Sequence, residues 1–161
     1  MTDFRTLVRL LAHNSVEFII IGGAAATAHG SARLTEDLDI VYRRTEENIS
    51  RLIRALAPYE PYLRGAPPGL PFRWDELTIE SGLNFTLTTT LGALDLLGEI
   101  TGGGGYEDLL PHSIQLQLYD VECFCLGLAR LIHVKRAAGR PKDLETIAEL
   151  EAIMEEQKRR L

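Results

Sequence analysis

The chain has 161 residues, of which 45% are apolar and 25% charged, and it carries a net charge of −6. That length suits one domain with a sizeable core, the composition argues against a disordered chain, and the acidity argues against a protein that coats nucleic acid, which needs cations to displace counterions. The apolar run Phe18 to Ile21 is too short to span a bilayer and Met1-Thr2-Asp3 does not open like a signal peptide, so the expectation is a cytoplasmic protein that does not enter membranes.

In chain order, Phe4, Leu7, Val8 and Leu11 recur at helical spacing, and His13-Asn14-Ser15 closes that helix. Glu17 to Ile21 reads as a buried strand, rich in β-branched residues and ended by Gly22-Gly23. Ala24 to His29 is expected as a compact helix of small residues, with Gly30 suited to its C-terminal cap. Asp37 to Tyr42 is the second strand, and Thr45 to Ala57 an amphipathic helix that starts at Thr45 and its following glutamates. From Pro58 to Pro71 the chain carries five of its seven prolines and two glycines, which reads as a long surface loop able to cover a site.

Asn84 to Thr90 and Ala93 to Glu99 form two further strands joined at Leu91-Gly92. Gly102 to Gly105 is a flexible turn; no Lys-Ser or Lys-Thr follows it, so it is not a P-loop. Ile114 to Tyr119 and Val121 to Cys125 alternate like strand, either as two strands or as one long bent one. Two helices, Leu128 to Ala138 and Pro141 to Gln157, close the chain on either side of Gly139-Arg140. Cys123 and Cys125 read as small buried hydrophobes, and the four scattered histidines do not make a zinc site. Between Arg130 and Lys142 lie five cations and no acid, a local basic patch in an acidic chain.

The chemistry concentrates on carboxylates. Residues i and i+2 of a strand face the same side about 6.5 to 7 Å apart, so Asp37 and Asp39 converge on one volume. Asp95 lies mid-strand among leucines, where an unpaired charge would be costly. A divalent cation is the most economical compensation: magnesium takes oxygen ligands, keeps waters and shares phosphates, and a pair of such ions serves phosphoryl or nucleotidyl transfer. Gly22-Gly23, ending a strand and opening a helix, offers free backbone N–H groups to phosphates. A simpler reading makes Asp37 and Asp39 a strand cap salt-bridged to Arg33, but it leaves Asp95 unexplained.

Ile21-Gly22-Gly23, thirteen residues, then Asp37-Leu38-Asp39-Ile40 and a later Asp95 resemble the minimal nucleotidyltransferases of the DNA polymerase β superfamily. Ala28-His29-Gly30 and Arg33-x-Thr35-x-Asp37 are similar to the branch near the abortive-infection (AbiEii-like) toxin nucleotidyltransferases, as is the C-terminal pattern of Lys135, Arg140, Lys142 and Asp143. The resemblance implies an α/β nucleotidyltransferase fold: a short mixed sheet flanked by helices over residues 16–125, with a helical appendage over 126–161, in one domain spanning 1–161. It implies an enzyme that moves a nucleoside monophosphate from an NTP such as ATP to an acceptor hydroxyl or phosphate on RNA, protein or a small molecule.

On that basis Asp37, Asp39 and Asp95 are the catalytic and metal-binding residues, for two magnesium ions or manganese. Gly22, Gly23, Arg33, Thr35, Lys135 and Arg140 are the substrate-binding ones. Arg33 either grips the triphosphate or orients Asp37, and Lys135 reaches the phosphates while Arg140, Lys142 and Asp143 hold the helix pair. Gly23 departs from the serine many relatives place there, which leaves phosphate contact to the backbone. A toxin role would bring a cognate antitoxin as partner. Two readings of another class stand beside this one: a non-catalytic nucleotide- or metal-binding module, and a protein-interaction module docking through the proline-rich loop.

Overall fold

The computed structural model describes residues 1–161. Helix α1, Phe4–His13, starts where the Asp3 carboxylate accepts the Thr6 N–H, and it buries Leu7, Val8 and Leu11. Strand β1, Phe18–Ile21, is buried at all four positions. It ends at Gly22, whose φ of +63° turns the chain directly into α2, Gly22–Ala28. The helix therefore begins two residues before the expected Ala24, because the left-handed glycine is itself the turn.

Strand β2, Asp37–Tyr42, lies antiparallel to β1, pairing Ile21 with Asp39. Leu38 and Ile40 are fully buried on one face, which leaves Asp37 and Asp39 on the other. Helix α3, Glu46–Leu56, is capped by the Thr45 hydroxyl, which accepts the Asn48 N–H, and buries Ile49, Leu52 and Leu56.

The proline-rich segment contains structure that the sequence reading does not anticipate. After a 3-10 turn, Tyr62–Leu63 forms a short strand, β3, antiparallel to Leu87 and Thr88 at one edge of the sheet. An edge suits a proline-flanked strand, since fewer of its N–H groups must pair. Helix α4, Glu76–Ser81, is also unanticipated, although Asp75 caps it by accepting the Thr78 N–H.

Strands β4, Phe85–Thr89, and β5, Gly92–Leu97, form a hairpin, and β5 runs parallel to β2 with Asp95 beside Asp39. The short helix α5, Tyr106–Leu109, follows the glycine turn. Strands β6, Ser113–Leu118, and β7, Val121–Leu126, are two strands rather than one bent one. Tyr119 and Asp120 both have positive φ, the tight turn that right-twisted hairpins favour. β7 pairs parallel to β1, completing a seven-stranded mixed sheet in the order β3-β4-β5-β2-β1-β7-β6.

Helices α6, Leu128–Ala138, and α7, Pro141–Arg159, pack together across Gly139, whose φ of +65° ends α6. Leu128, Leu131 and Ile132 of α6 and Ile147 and Leu150 of α7 belong to the same apolar core as the strands. No helix is long and apolar enough to cross a membrane.

Candidate active site

The central strands bring the three aspartates together by register alone. Ile21, Asp39, Asp95 and Thr86 stand side by side on β1, β2, β5 and β4, and Asp37 sits one pleat along from Asp39. One carboxylate oxygen from each of Asp37, Asp39 and Asp95 lies within 4.8 Å of the others. Asp39 is the most confined. A side chain at Gly22 would overlap its Oδ2, so glycine is what lets the carboxylate lie against the start of α2.

The Asp39 Oδ1 atom is buried and has no hydrogen-bond partner. Such an orphan is expensive in a folded protein, typically by about 1 to 3 kcal/mol. Burial, then the charge and a proton-sharing contact of Asp95, then the charge of Asp37, push the Asp39 carboxyl up to about 7, against the opposing pull of Lys135. A hard divalent cation fits this donor set: converging carboxylate oxygens, one of them buried and without a partner. The residues that would hold it are Asp37, Asp39 and Asp95.

A cleft of about 320 Å³ opens onto Asp39 and Asp95 and is lined by Gly22 and by Leu97, Ile100, Leu131 and Val134. Lys135 and Arg140 line the same cleft. Burial lowers the Lys135 ammonium from its usual value, while the nearby Asp143 and Asp39 carboxylates favour its charged form. Arg140 is tied to Asp143, which accepts its backbone N–H at 3.3 Å and its Nε at 2.9 Å. Burial alone would raise the Asp143 carboxyl, but the hydrogen bond and charge of Arg140 and the charge of Lys135 bring it below its usual value. The Asn84 side-chain oxygen accepts the Gly98 and Glu99 N–H groups and so fixes how β5 leaves the carboxylates.

Two of the residues singled out in the sequence lie elsewhere. Arg33 does not orient Asp37: its guanidinium pairs with Glu145 at 3.3 Å and Glu149 at 3.5 Å on α7, and it lines a separate apolar groove beside Leu34. The reason is local, since Ser31 and Ala32 also bond Glu149 and draw that loop onto α7. Thr35 lines that groove as well, and its hydroxyl donates to the Asp37 carbonyl. A Cβ at position 23 would lie 2.6 Å from the Thr35 Oγ1, so Thr35 fills the space that a serine side chain at Gly23 would need.

The basic stretch from Arg130 to Lys142 is partly neutralised, since Arg136 pairs with Glu151 and Arg140 with Asp143, while Arg130 meets the His112 ring without losing its charge. His29 has a packing role, its Nε2 meeting the Leu126 carbonyl at 2.8 Å. Cys123 and Cys125 are buried free thiols, and burial pushes Cys125 up to about 12.

One residue at the carboxylates was missed. Arg64, directly after β3, reaches across Thr86 to pair with Asp95 and approaches Asp37 at 3.5 Å. Nothing in the sequence marks it, because its reach depends on a two-residue strand hidden among prolines.

No family model matches the chain, and no curated protein matches it. Among solved structures, the lincosamide antibiotic adenylyltransferase LnuA, in its lincomycin-bound crystal structure, is similar over 94% of this chain and 98% of its own, with a TM-score of 0.61 and 16% identity. The fold is that of the nucleotidyltransferases. A putative nucleotidyltransferase from Thermotoga maritima, TM1012, shares this nucleotidyltransferase fold over 92% of this chain and 94% of its own, with a TM-score of 0.58 and 13% identity.

Proposed function

We propose that the protein is a metal-dependent nucleotidyltransferase that transfers a nucleoside monophosphate from an NTP to a hydroxyl of a small molecule. The observation that carries this reading is the convergence of Asp37, Asp39 and Asp95 around the unpartnered Asp39 Oδ1. A purely structural role gives no reason to leave that atom buried and unsatisfied. Asp37 and Asp39 would hold two magnesium or manganese ions and Asp95 one of them. Bound there, the ions would offset the charge of the phosphates and lower the pKa of the attacking hydroxyl.

The chain's own residues supply the rest. The acceptor oxygen attacks the α-phosphorus, the bond to pyrophosphate breaks, and an Asp95 oxygen takes the hydroxyl proton. Backbone N–H groups at the start of α2, freed at the Gly22-Gly23 turn, would meet the triphosphate. Lys135 lines the cleft that opens onto Asp39 and would meet phosphate oxygens there. Arg140, held by Asp143, keeps the α6–α7 junction beside it.

A small-molecule acceptor is favoured over RNA or protein for three reasons. The cleft is compact and its walls are partly apolar. The charge is −6, and two of the five cations of the basic stretch, Arg136 and Arg140, are paired within the fold. LnuA, similar over 98% of its own chain, is a lincosamide antibiotic adenylyltransferase. A toxin role with a cognate antitoxin would rest on the stretch from Ala28 to Asp37 and on the pattern of Lys135, Arg140, Lys142 and Asp143; in the first of these His29 bonds β7 and Arg33 pairs with α7.

The test offers NTPs radiolabelled at the α-phosphate to the protein with metabolite extract, total RNA and cell protein in parallel. Label should appear in a small-molecule fraction, require a divalent cation and disappear in Asp39→Ala. Label in RNA or protein alone would overturn the acceptor assignment, and no label in any fraction would overturn the enzyme.

A further inference from the structure

Arg64 is a cation placed where the proposed function requires another cation. Its backbone N–H donates to the Thr86 carbonyl at 2.9 Å, extending the β3–β4 pairing by one residue. That places Arg64 on the same transverse line of the sheet as Thr86, Asp95 and Asp39. Thr86 is short and exposed, so the arginine side chain can pass over it. Nη2 donates both to the Leu87 carbonyl at 2.8 Å and to Asp95 Oδ1, while Nη1 lies 3.5 Å from Asp37 Oδ2. The guanidinium thus spans two of the three carboxylates, and the one it does not reach, Asp39, has the unsatisfied oxygen.

We propose that Arg64 is a positioning residue that holds Asp37 and Asp95 in the cation's stead, and that a divalent cation entering the site displaces its guanidinium. This rests on the metal-dependent reading above. Two positive charges cannot share the same carboxylate oxygens at contact distance without strong repulsion. The arginine is well suited to yield: its side chain is 30% exposed, and it is carried by an edge segment that ends in glycine and proline. The Leu87 carbonyl gives the displaced guanidinium a nearby anchor, keeping it within reach of an incoming triphosphate. Cation occupancy is thereby linked to the conformation of residues 62–70, where the Leu70 N–H is bonded to the Tyr62 hydroxyl.

The experiment titrates Mn²⁺ alone, without nucleotide, into the wild type, Arg64→Ala, Arg64→Gln and Asp39→Ala, reading bound ion by electron paramagnetic resonance. Hydrogen exchange of residues 62–70 is followed in the same samples. Removing the competing charge should tighten Mn²⁺ binding roughly tenfold in both Arg64 variants, the size expected for a charge-assisted hydrogen bond. Mn²⁺ should also speed exchange of the Arg64 segment in the wild type but not in the variants. A merely structural arginine would give the opposite sign, with weaker binding when it is lost. Equal or weaker Mn²⁺ binding in the Arg64 variants, with binding still lost in Asp39→Ala, would overturn the role of Arg64 alone. No Asp39-dependent binding in any of the proteins would overturn both this inference and the metal-dependent reading.

Discussion

The centre of the sheet and its β3 edge both bring charge to the aspartate cluster, but by opposite means. At the centre, Asp39 and Asp95 are neighbours in a parallel ladder, and Leu38, Ile40, Leu94 and Leu96 alternate with them at 0% exposure. Moving either carboxylate by one residue would push those apolar side chains to the wrong face. At the edge, Arg64 follows a strand of two residues and reaches the same carboxylates through a long, partly exposed side chain. Geometry fixed by a buried ladder tolerates no adjustment, whereas a side chain thrown from an edge can move without unfolding anything. The molecule puts its proposed cation ligands in the first kind of place and its displaceable charge in the second.

The contrast breaks most sharply at Asp39. Asp39→Ala should reduce nucleotidyl transfer by about 10³-fold or more, as expected when a ligand shared by both ions is lost. The same change should leave the metal-free protein at least as stable, because it deletes a buried oxygen that has no partner. Thermal unfolding in chelator beside transfer assays checks both halves.

Gly22→Ala comes next. It forces a side chain into a backbone at φ +63° and onto the Asp39 carboxylate. A loss of about 2 kcal/mol or more in denaturant unfolding is expected, together with a large loss of transfer activity.

The third prediction concerns pH. The folded state holds the Asp39 proton up to about 7, from an ordinary value of 3.8. The native chain therefore binds more protons than the unfolded one in that window, so metal-free stability should fall as pH rises from about 4 to about 7. A divalent cation should flatten the fall and raise the thermal midpoint most at the alkaline end, since it binds the ionised site. Melting curves across pH, with and without Mn²⁺, give the comparison.

Lys135→Met is expected to weaken NTP binding roughly tenfold with little change in stability, as for a single charge-assisted phosphate contact, measured by calorimetry. The smallest effect belongs to Arg33→Ala. Its partners Glu145 and Glu149 lie on α7, away from the carboxylates, so transfer should stay within about twofold and stability within about 1 kcal/mol.

These effects follow the line between what the sequence discloses and what it hides. The strands bearing Asp37, Asp39 and Asp95 are legible because alternation on a half-buried strand has only one solution, and a glycine pair before them marks the turn. The C-terminal helices are legible from Gly139 and Pro141. The pairing of Arg33 with Glu145 and Glu149 and not with Asp37 is hidden because those partners lie more than a hundred residues away in sequence. Arg64 and β3 were hidden by prolines that suggest irregular chain, although an edge strand tolerates them. The basic stretch looked available because its acidic partners, Asp143 and Glu151, follow it in sequence and fold back onto it.

The central claim, that the aspartate cluster is a divalent-cation site for a nucleotide, is tested most directly by titrating NTP into the wild type and Asp39→Ala by calorimetry, each in Mg²⁺ and in chelator. The account predicts binding only for the wild type and only with Mg²⁺. Binding that persists in chelator or in Asp39→Ala, or no binding under any of these conditions, would contradict it.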